Sequence, residues 1–69
     1  MSAEVYWQFE AMVVVLRHMA AGYKVYIQAR GDDEADGYLL ETERRDGRYV
    51  SVTENTIPLV CVAAAKALR

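Results

Sequence analysis

Cys61 and His18 are the residues of this 69-residue chain that could form a nucleophile and its general base, since each residue type occurs once. Nucleophilic catalysis needs the two side chains within hydrogen-bond reach of each other. Cys61 lies on the apolar stripe of an alanine-rich C-terminal helix, where free cysteine behaves as a small apolar residue. His18 projects from the opposite side of its helix to Phe9 and Leu16, which we expect to face the core. We therefore expect no catalytic residues and predict that the protein is not an enzyme.

Residues that could hold a metal or a cofactor are scarce. One cysteine and one histidine allow neither an internal disulfide nor a cysteine-rich zinc site. The acidic segment 31–36 (GDDEAD) has carboxylates for calcium, but an EF-hand loop lies between helices and this segment lies between predicted strands. The glycines are spaced as turns and form no phosphate-binding loop. We expect no bound metal and no cofactor.

Arg44, Arg45 and Arg48 form the densest basic cluster of the chain, at the tip of a predicted hairpin. They could bind an anion, or they could pair with carboxylates that are interleaved with them, such as Glu43 and Asp46. Binding to nucleic acid requires clustered Lys and Arg that contact phosphates, whereas the net charge of this chain is −2. We therefore expect no nucleic-acid partner.

The length and the apolar pattern indicate a single small domain over 1–69. A chain of this size hides only about 60% of the surface that its unfolded form exposes, and such domains usually need a staple, a metal or a partner. The apolar run 11–16 is too short to span a bilayer, and the first residues lack the positive charge of a signal peptide. We expect no membrane association, a cytoplasmic location, and stabilisation by oligomerisation.

The elements that must position these residues follow from the spacing of apolar side chains. The pattern predicts a helix over 4–21, strands over 23–30, 37–44 and 48–53, and a helix over 57–69. Ser2 is a suitable N-cap for the first helix, and the Asp46-Gly47 pair is typical of a hairpin turn. The predicted fold class is α+β, in the order α-β-β-β-α, with a three-stranded antiparallel sheet packed against two helices.

The first helix carries apolar residues on two faces, at about 100° per residue. One face is expected to form the core stripe and contains Val5, Phe9, Met12, Val13, Leu16, Met19 and Ala20. A second set has the spacing of a packed helix pair and contains Trp7, Ala11, Val14 and His18. The last helix could cover this second face within the single chain, if the two helices pack side by side. A Trp and several valines around the whole helix nevertheless exceed what one sheet and one helix can cover, so we predict that this face forms an oligomer or partner interface, with Tyr6 beside it.

The sheet is expected to have one buried and one open face. Tyr38, Leu40, Val50 and Val52 are expected to point inward. Tyr26 and Tyr49 would then project from the open face, and aromatic residues are enriched at protein interfaces. They are either a partner surface or ordinary cross-strand packing.

The closing stretch 56–68, TIPLVCVAAAKAL, resembles the end of small phage-encoded proteins of the phage α-β-α sandwich family. In that family a polar lead-in precedes a helix that contains Ala and Cys, and a leading helix followed by a strand meander also fits. The resemblance implies a phage or prophage origin and transfers no catalytic motif. It also implies a sandwiched sheet, whereas the strand alternation of this chain predicts one solvent-exposed face.

Together these features predict a small non-catalytic accessory protein of the phage type. It would form a homodimer and bind, and thereby inhibit, a host defence or regulatory protein, or it would bind another phage protein. The alternative is an oligomer that binds an anionic signalling nucleotide between subunits, through Arg44, Arg45 and Arg48 and a stacking tyrosine.

Overall fold

Two helices bracket a three-stranded meander in the computed structural model, which describes residues 2–31 and 37–69. The elements are α1 (Ala3–Ala20), β1 (Val25–Arg30), β2 (Gly37–Glu43), β3 (Tyr49–Glu54) and α2 (Ile57–Leu68). The strands form an antiparallel sheet in the order β1-β2-β3. The predicted α+β class and the element order are confirmed. The predicted acidic loop residues Asp32, Asp33, Glu34 and Asp36 lie outside the described residues.

Side-chain caps begin both helices, and a glycine ends the first. The hydroxyls of Ser2 and Thr56 accept hydrogen bonds from the backbone N–H groups three residues later, at 3.2 and 3.3 Å. At the end of α1, Gly22 takes φ +102° and donates to the Met19 carbonyl, while Tyr23 donates to the His18 carbonyl. These two bonds form a Schellman motif. They engage the N–H groups of Gly22 and Tyr23, and β1 begins at Val25, two residues later than predicted.

The hairpin between β2 and β3 closes as the Asp-Gly pair predicts. The backbone N–H of Arg44 donates to the Arg48 carbonyl at 2.7 Å, and the backbone N–H of Gly47 donates to the Arg44 carbonyl at 3.0 Å. Gly47 has φ +86°, in the left-handed region that glycine adopts without steric cost. The Asp46 carboxylate accepts from the Arg48 backbone N–H at 3.1 Å. This turn fixes the register of the last two strands.

The register divides the sheet residues as predicted. Leu40 lies opposite Ile27 on one side and opposite Val52 on the other, and Thr42 lies between Val25 and Val50. Directly paired residues share a face, so these side chains all point toward the helices. The opposite face carries Tyr26, Leu39, Glu41, Tyr49 and Ser51.

The core lies between the sheet and α2, and α1 packs on the flank of α2. The core cluster is Ala11, Val15, Leu40, Val60, Cys61, Ala64 and Ala65. α2 covers β2 and β3, whereas α1 contacts mainly α2 and reaches the sheet near its C-terminal end. β1 is the least covered strand, and Ile27 remains 43% exposed on the side of the helices.

The predicted assignment of the two faces of α1 was wrong. Ala11 and His18, predicted to form an interface, are buried inside the chain, and Val14 packs half-buried against the same core. Most of the stripe predicted as core is exposed: Val5, Phe9, Met12, Leu16 and Met19. Of the other two members, Val13 is half-buried and Ala20 is exposed.

Shape explains this exchange of faces. α2 presents Ala64 and Ala65, and the distance between two packed helices depends on the side chains at their contact. Ala11 allows a close approach to this alanine surface, which Phe9 or Leu16 would prevent. The smaller face of α1 is therefore buried, although the other face is more apolar.

We predict that Leu40→Ala lowers the free energy of unfolding by about 2–5 kcal/mol, because it removes a fully buried side chain from the centre of the sheet. Urea denaturation of the two proteins measures the difference. Leu39→Ala is the matched control, since Leu39 lies on the opposite face of the same strand and is only half-buried. An effect of Leu39→Ala as large as that of Leu40→Ala would contradict the assigned sheet faces.

Candidate interaction surfaces

His18 joins α1 to the sheet by hydrogen bonds. Its Nε2 lies 2.8 Å from the Glu43 carbonyl oxygen and 3.2 Å from Thr42 Oγ1. A carbonyl only accepts, so Nε2 carries a hydrogen and donates. The Thr42 hydroxyl in turn donates to the Lys24 carbonyl at 2.7 Å. The only histidine of the chain therefore holds the end of α1 against β2 and is not available at a surface.

Tyr23 also helps to hold the end of α1 against β2, through a contact with His18. Its ring stacks on the His18 ring with a centroid distance of 4.4 Å and an interplanar angle of 10°. Aromatic stacking of this kind adds about 0.5–1.5 kcal/mol beyond the area that it buries. Sequence reasoning missed Thr42 and Tyr23. A polar Thr42 among inward apolar residues was the signal that a buried partner had to exist.

The exposed stripe of α1 is the largest feature that sequence reasoning placed incorrectly. Its residues 5, 9, 12, 16 and 19 alternate steps of four and three, the spacing of a helix seam that packs against another helix. Phe9 is 61% and Leu16 59% exposed. This regular spacing was visible in the sequence. Ala11, Val14 and His18, which are buried or half-buried, have the same spacing, so the spacing did not show which set faces the core. We call residues Val5, Phe9, Met12, Leu16 and Met19 the outer stripe.

Trp7 and Tyr6 lie outside the outer stripe. Trp7 is 67% exposed and lines a groove of about 410 Å³ between the helices, beside Ala65 and Lys66 of α2. The Tyr6 hydroxyl donates to Glu10 Oε1 at 2.7 Å. This hydrogen bond raises the pKa of Tyr6, and the negative charge of Glu10 adds to the effect. Of the predicted interface, Trp7 and Tyr6 remain accessible.

The open sheet face presents Tyr26 and Tyr49, which are 62% and 68% exposed. Tyr26 lies directly opposite Glu41, and Tyr49 lies directly opposite Glu43. The two tyrosines and the two carboxylates line one cavity of about 500 Å³. This volume is within the range of ligand pockets. The predicted exposure of both tyrosines is confirmed, and the carboxylates between them are site residues that sequence reasoning did not include.

The predicted anion-binding arginines are divided among different contacts. Asp46 Oδ1 lies 3.5 Å from Arg44 Nε, and Asp46 Oδ2 lies 3.8 Å from Arg48 Nε. Arg44 also donates to the Arg69 carbonyl at 3.3 Å. Arg45 instead lines a separate cavity beside Arg17. The structure therefore does not bring the three guanidinium groups to one site, because Asp46 in the turn engages two of them.

Cys61 is buried in the core, and burial raises the pKa of its thiol. A buried protonated thiol is a poor nucleophile. Across residues 2–31 and 37–69, no group of three or more His, Cys, Asp or Glu side chains is placed to hold a metal ion. Within the same residues, neither helix has both the length and the apolar composition to cross a membrane.

No protein-family model, curated protein or solved structure matches this chain. The resemblance to the phage α-β-α sandwich family stays a prediction, and the geometry of the chain itself carries the functional argument.

We predict that Thr42→Val lowers the free energy of unfolding by about 1–3 kcal/mol, because the Lys24 carbonyl loses its donor and His18 loses an acceptor. Thermal or urea denaturation measures this loss. Thr53→Val is the control, because Thr53 is exposed on the open face of β3. We expect it to change stability by less than about 0.5 kcal/mol. Equal effects of the two substitutions would contradict a structural role for the Thr42 hydroxyl.

Proposed function

We propose that this chain is a non-catalytic protein-binding module that forms a homodimer through the outer stripe of α1. The observation that carries the proposal is the exposure of five large apolar side chains in a seam without a charged residue. The predicted homodimer is thus retained, but the proposed interface moves to the other side of the helix.

The size of the outer stripe supports this role. Its five side chains are between 37% and 61% exposed, and the largest apolar patch on a typical monomer, about 300–600 Å², is often functional. Tyr6 and Val13 lie along one edge of the stripe and extend it. A standard interface buries about 800 Å² on each partner, so these neighbours would contribute to the contact as well.

A second copy fits the stripe when the two helices run antiparallel. With a two-fold axis at Met12, Val5 of one copy lies beside Met19 of the other, and Phe9 lies beside Leu16. An isologous contact of this kind requires a self-complementary surface. The 5, 9, 12, 16, 19 spacing comes close to this, because positions 5 and 19 are symmetrical about Met12 and positions 9 and 16 are offset by one residue. Every apolar residue of the stripe then meets another apolar residue.

The helix macrodipoles favour the same orientation, because antiparallel packing sets them in opposite directions.

We predict that Phe9→Asp or Leu16→Asp converts a dimer into a monomer. Each buries a charge in the proposed interface, and the loss of a central anchor raises the dimer Kd on the order of 30-fold or more. Sedimentation equilibrium distinguishes twice 7.8 kDa from 7.8 kDa. Both side chains are exposed in the single chain, so circular dichroism should show an intact fold.

Tyr49→Ser is the matched control for these variants. It removes an exposed aromatic side chain from the open sheet face and should leave the dimer mass unchanged. A wild-type chain that is monomeric at all concentrations would overturn the proposal.

We further predict that cysteine cross-linking will show the antiparallel orientation. In a Cys61→Ala background, oxidation of Val5→Cys mixed with Met19→Cys should give the mixed disulfide dimer, because these positions face each other across the axis. Each variant alone should form little dimer. Efficient self-linking of each variant alone, without the mixed product, would establish a parallel pair and contradict the proposed register.

The prediction that this protein inhibits a host protein can be tested directly with the proposed dimer. Inhibition of a host defence or regulatory protein rests on the phage resemblance, and capture of such a protein by the wild-type dimer would support it. The alternative, an anionic nucleotide site, has less support because Asp46 engages Arg44 and Arg48.

A further inference from the structure

A cavity of about 500 Å³ lies at the end of the sheet where β1 begins and β2 ends. Its lining combines Tyr26, Glu41 and Tyr49 of the open sheet face and Glu43 with the inward-facing Thr42 and with Gly22, Tyr23 and Lys24 of the connection from α1 to β1. Three tyrosines line it: Tyr23, Tyr26 and Tyr49. Two carboxylates, Glu41 and Glu43, lie on the central strand between the tyrosines of the outer strands. The helix seam proposed for the dimer does not include any of these residues.

One wall of this cavity is held in place before any ligand arrives. Tyr23 stacks on His18, and His18 donates to the backbone of Glu43, which is itself a lining residue. The other two tyrosines stand on the paired strands β1 and β3. Aromatic side chains on a rigid scaffold bind with a small loss of conformational entropy.

The carboxylates of the cavity have no close cationic partner among residues 2–31 and 37–69. The ion pairs within 4 Å in this part of the chain both involve Asp46. Lys24 also lines the cavity, so two carboxylates and one ammonium leave a formal charge of −1. The cavity therefore combines aromatic faces with net negative charge.

We propose that this cavity binds an arginine side chain of a partner protein. A guanidinium is attracted to the face of an aromatic ring, and its planar donors match a carboxylate in a bidentate contact. Tyr26 and Tyr49 supply the ring faces, and Glu41 supplies the carboxylate between the strands. The site belongs to a surface distinct from the outer stripe, and each chain of a dimer would carry one.

The test is a titration of the ¹⁵N-labelled protein with a short glycine-rich peptide that contains one arginine. The control peptide carries citrulline, which has the same shape and no charge. We expect amide shifts at Tyr26, Glu41 and Tyr49 with the arginine peptide and none with the citrulline peptide. Equal binding of both peptides, or no shift at about 1 mM arginine peptide, would overturn the proposal.

Four substitutions separate specific recognition of arginine from non-specific binding. Tyr49→Ala should weaken arginine binding about 2- to 5-fold, whereas Tyr49→Phe retains the ring and should bind as the wild type does. Glu41→Gln should weaken binding by a similar factor of up to about 5-fold. Lys24→Met removes the competing cation and should strengthen binding.

Lys24→Met is the most discriminating of these variants, because a substitution that merely perturbs the fold would not increase the affinity for the arginine peptide. Weaker binding by Lys24→Met, or unchanged binding by Tyr49→Ala, would overturn the assignment of the site. Phe9→Asp should bind the arginine peptide with the affinity of the wild type, so a failure of the dimer and a failure of this site give different results.

Discussion

The position of α2 between the sheet and α1 determines where the other apolar surfaces of this protein lie. α2 covers β2 and β3 with Val60 and Cys61 and presents alanines to α1. Because α1 packs on α2 and does not cover the sheet, one side of α1 and the inner side of β1 remain open. Among residues 2–31 and 37–69 no further helix or strand covers these surfaces, and the outer stripe follows directly from this arrangement.

The buried His18 fixes the position of α1 relative to α2 and the sheet. Alanine surfaces allow two helices to pack closely, but their uniform shape does not fix the position of one helix along the other. The hydrogen bonds of His18 to Thr42 and Glu43, together with the Tyr23 stack, fix the end of α1 against β2. A misplaced helix would leave a buried polar group without a partner, which costs more than a lost apolar contact of similar size. The same anchor orients the Tyr23 wall of the cavity on the open face.

The two surfaces differ in chemistry and have no residue in common. The outer stripe is apolar, and we propose it as the contact between two copies. The cavity on the open face is aromatic and acidic, which suits a reversible contact with a basic side chain. A dimer with two such cavities would bind a partner with two basic sites more tightly than one cavity alone would, through effective concentration.

Local patterns in the sequence were sufficient for the elements, the sheet faces and the turns. Ser2 and Thr56 mark helix starts, and Gly22 and Gly47 mark positions of positive φ. The alternation of residue types along β1 and β3 indicates the inward side of the sheet, whereas Leu39 and Leu40 are consecutive in β2 and do not alternate. These features depend on residues close together in the chain, so they could be predicted. The exposure of Tyr26 and Tyr49 follows from the same alternation.

The tertiary structure alone decided which face of α1 is buried. Both faces have apolar residues at helical spacing, and the sequence by itself cannot state how closely another helix approaches. Ala64 and Ala65 of α2 select the face with Ala11, and Thr42 gives His18 a buried partner. The division of Arg44, Arg45 and Arg48 among different contacts was likewise settled by the turn geometry around Asp46. Close packing and long-range hydrogen bonds join residues far apart in the chain, and no local pattern records them.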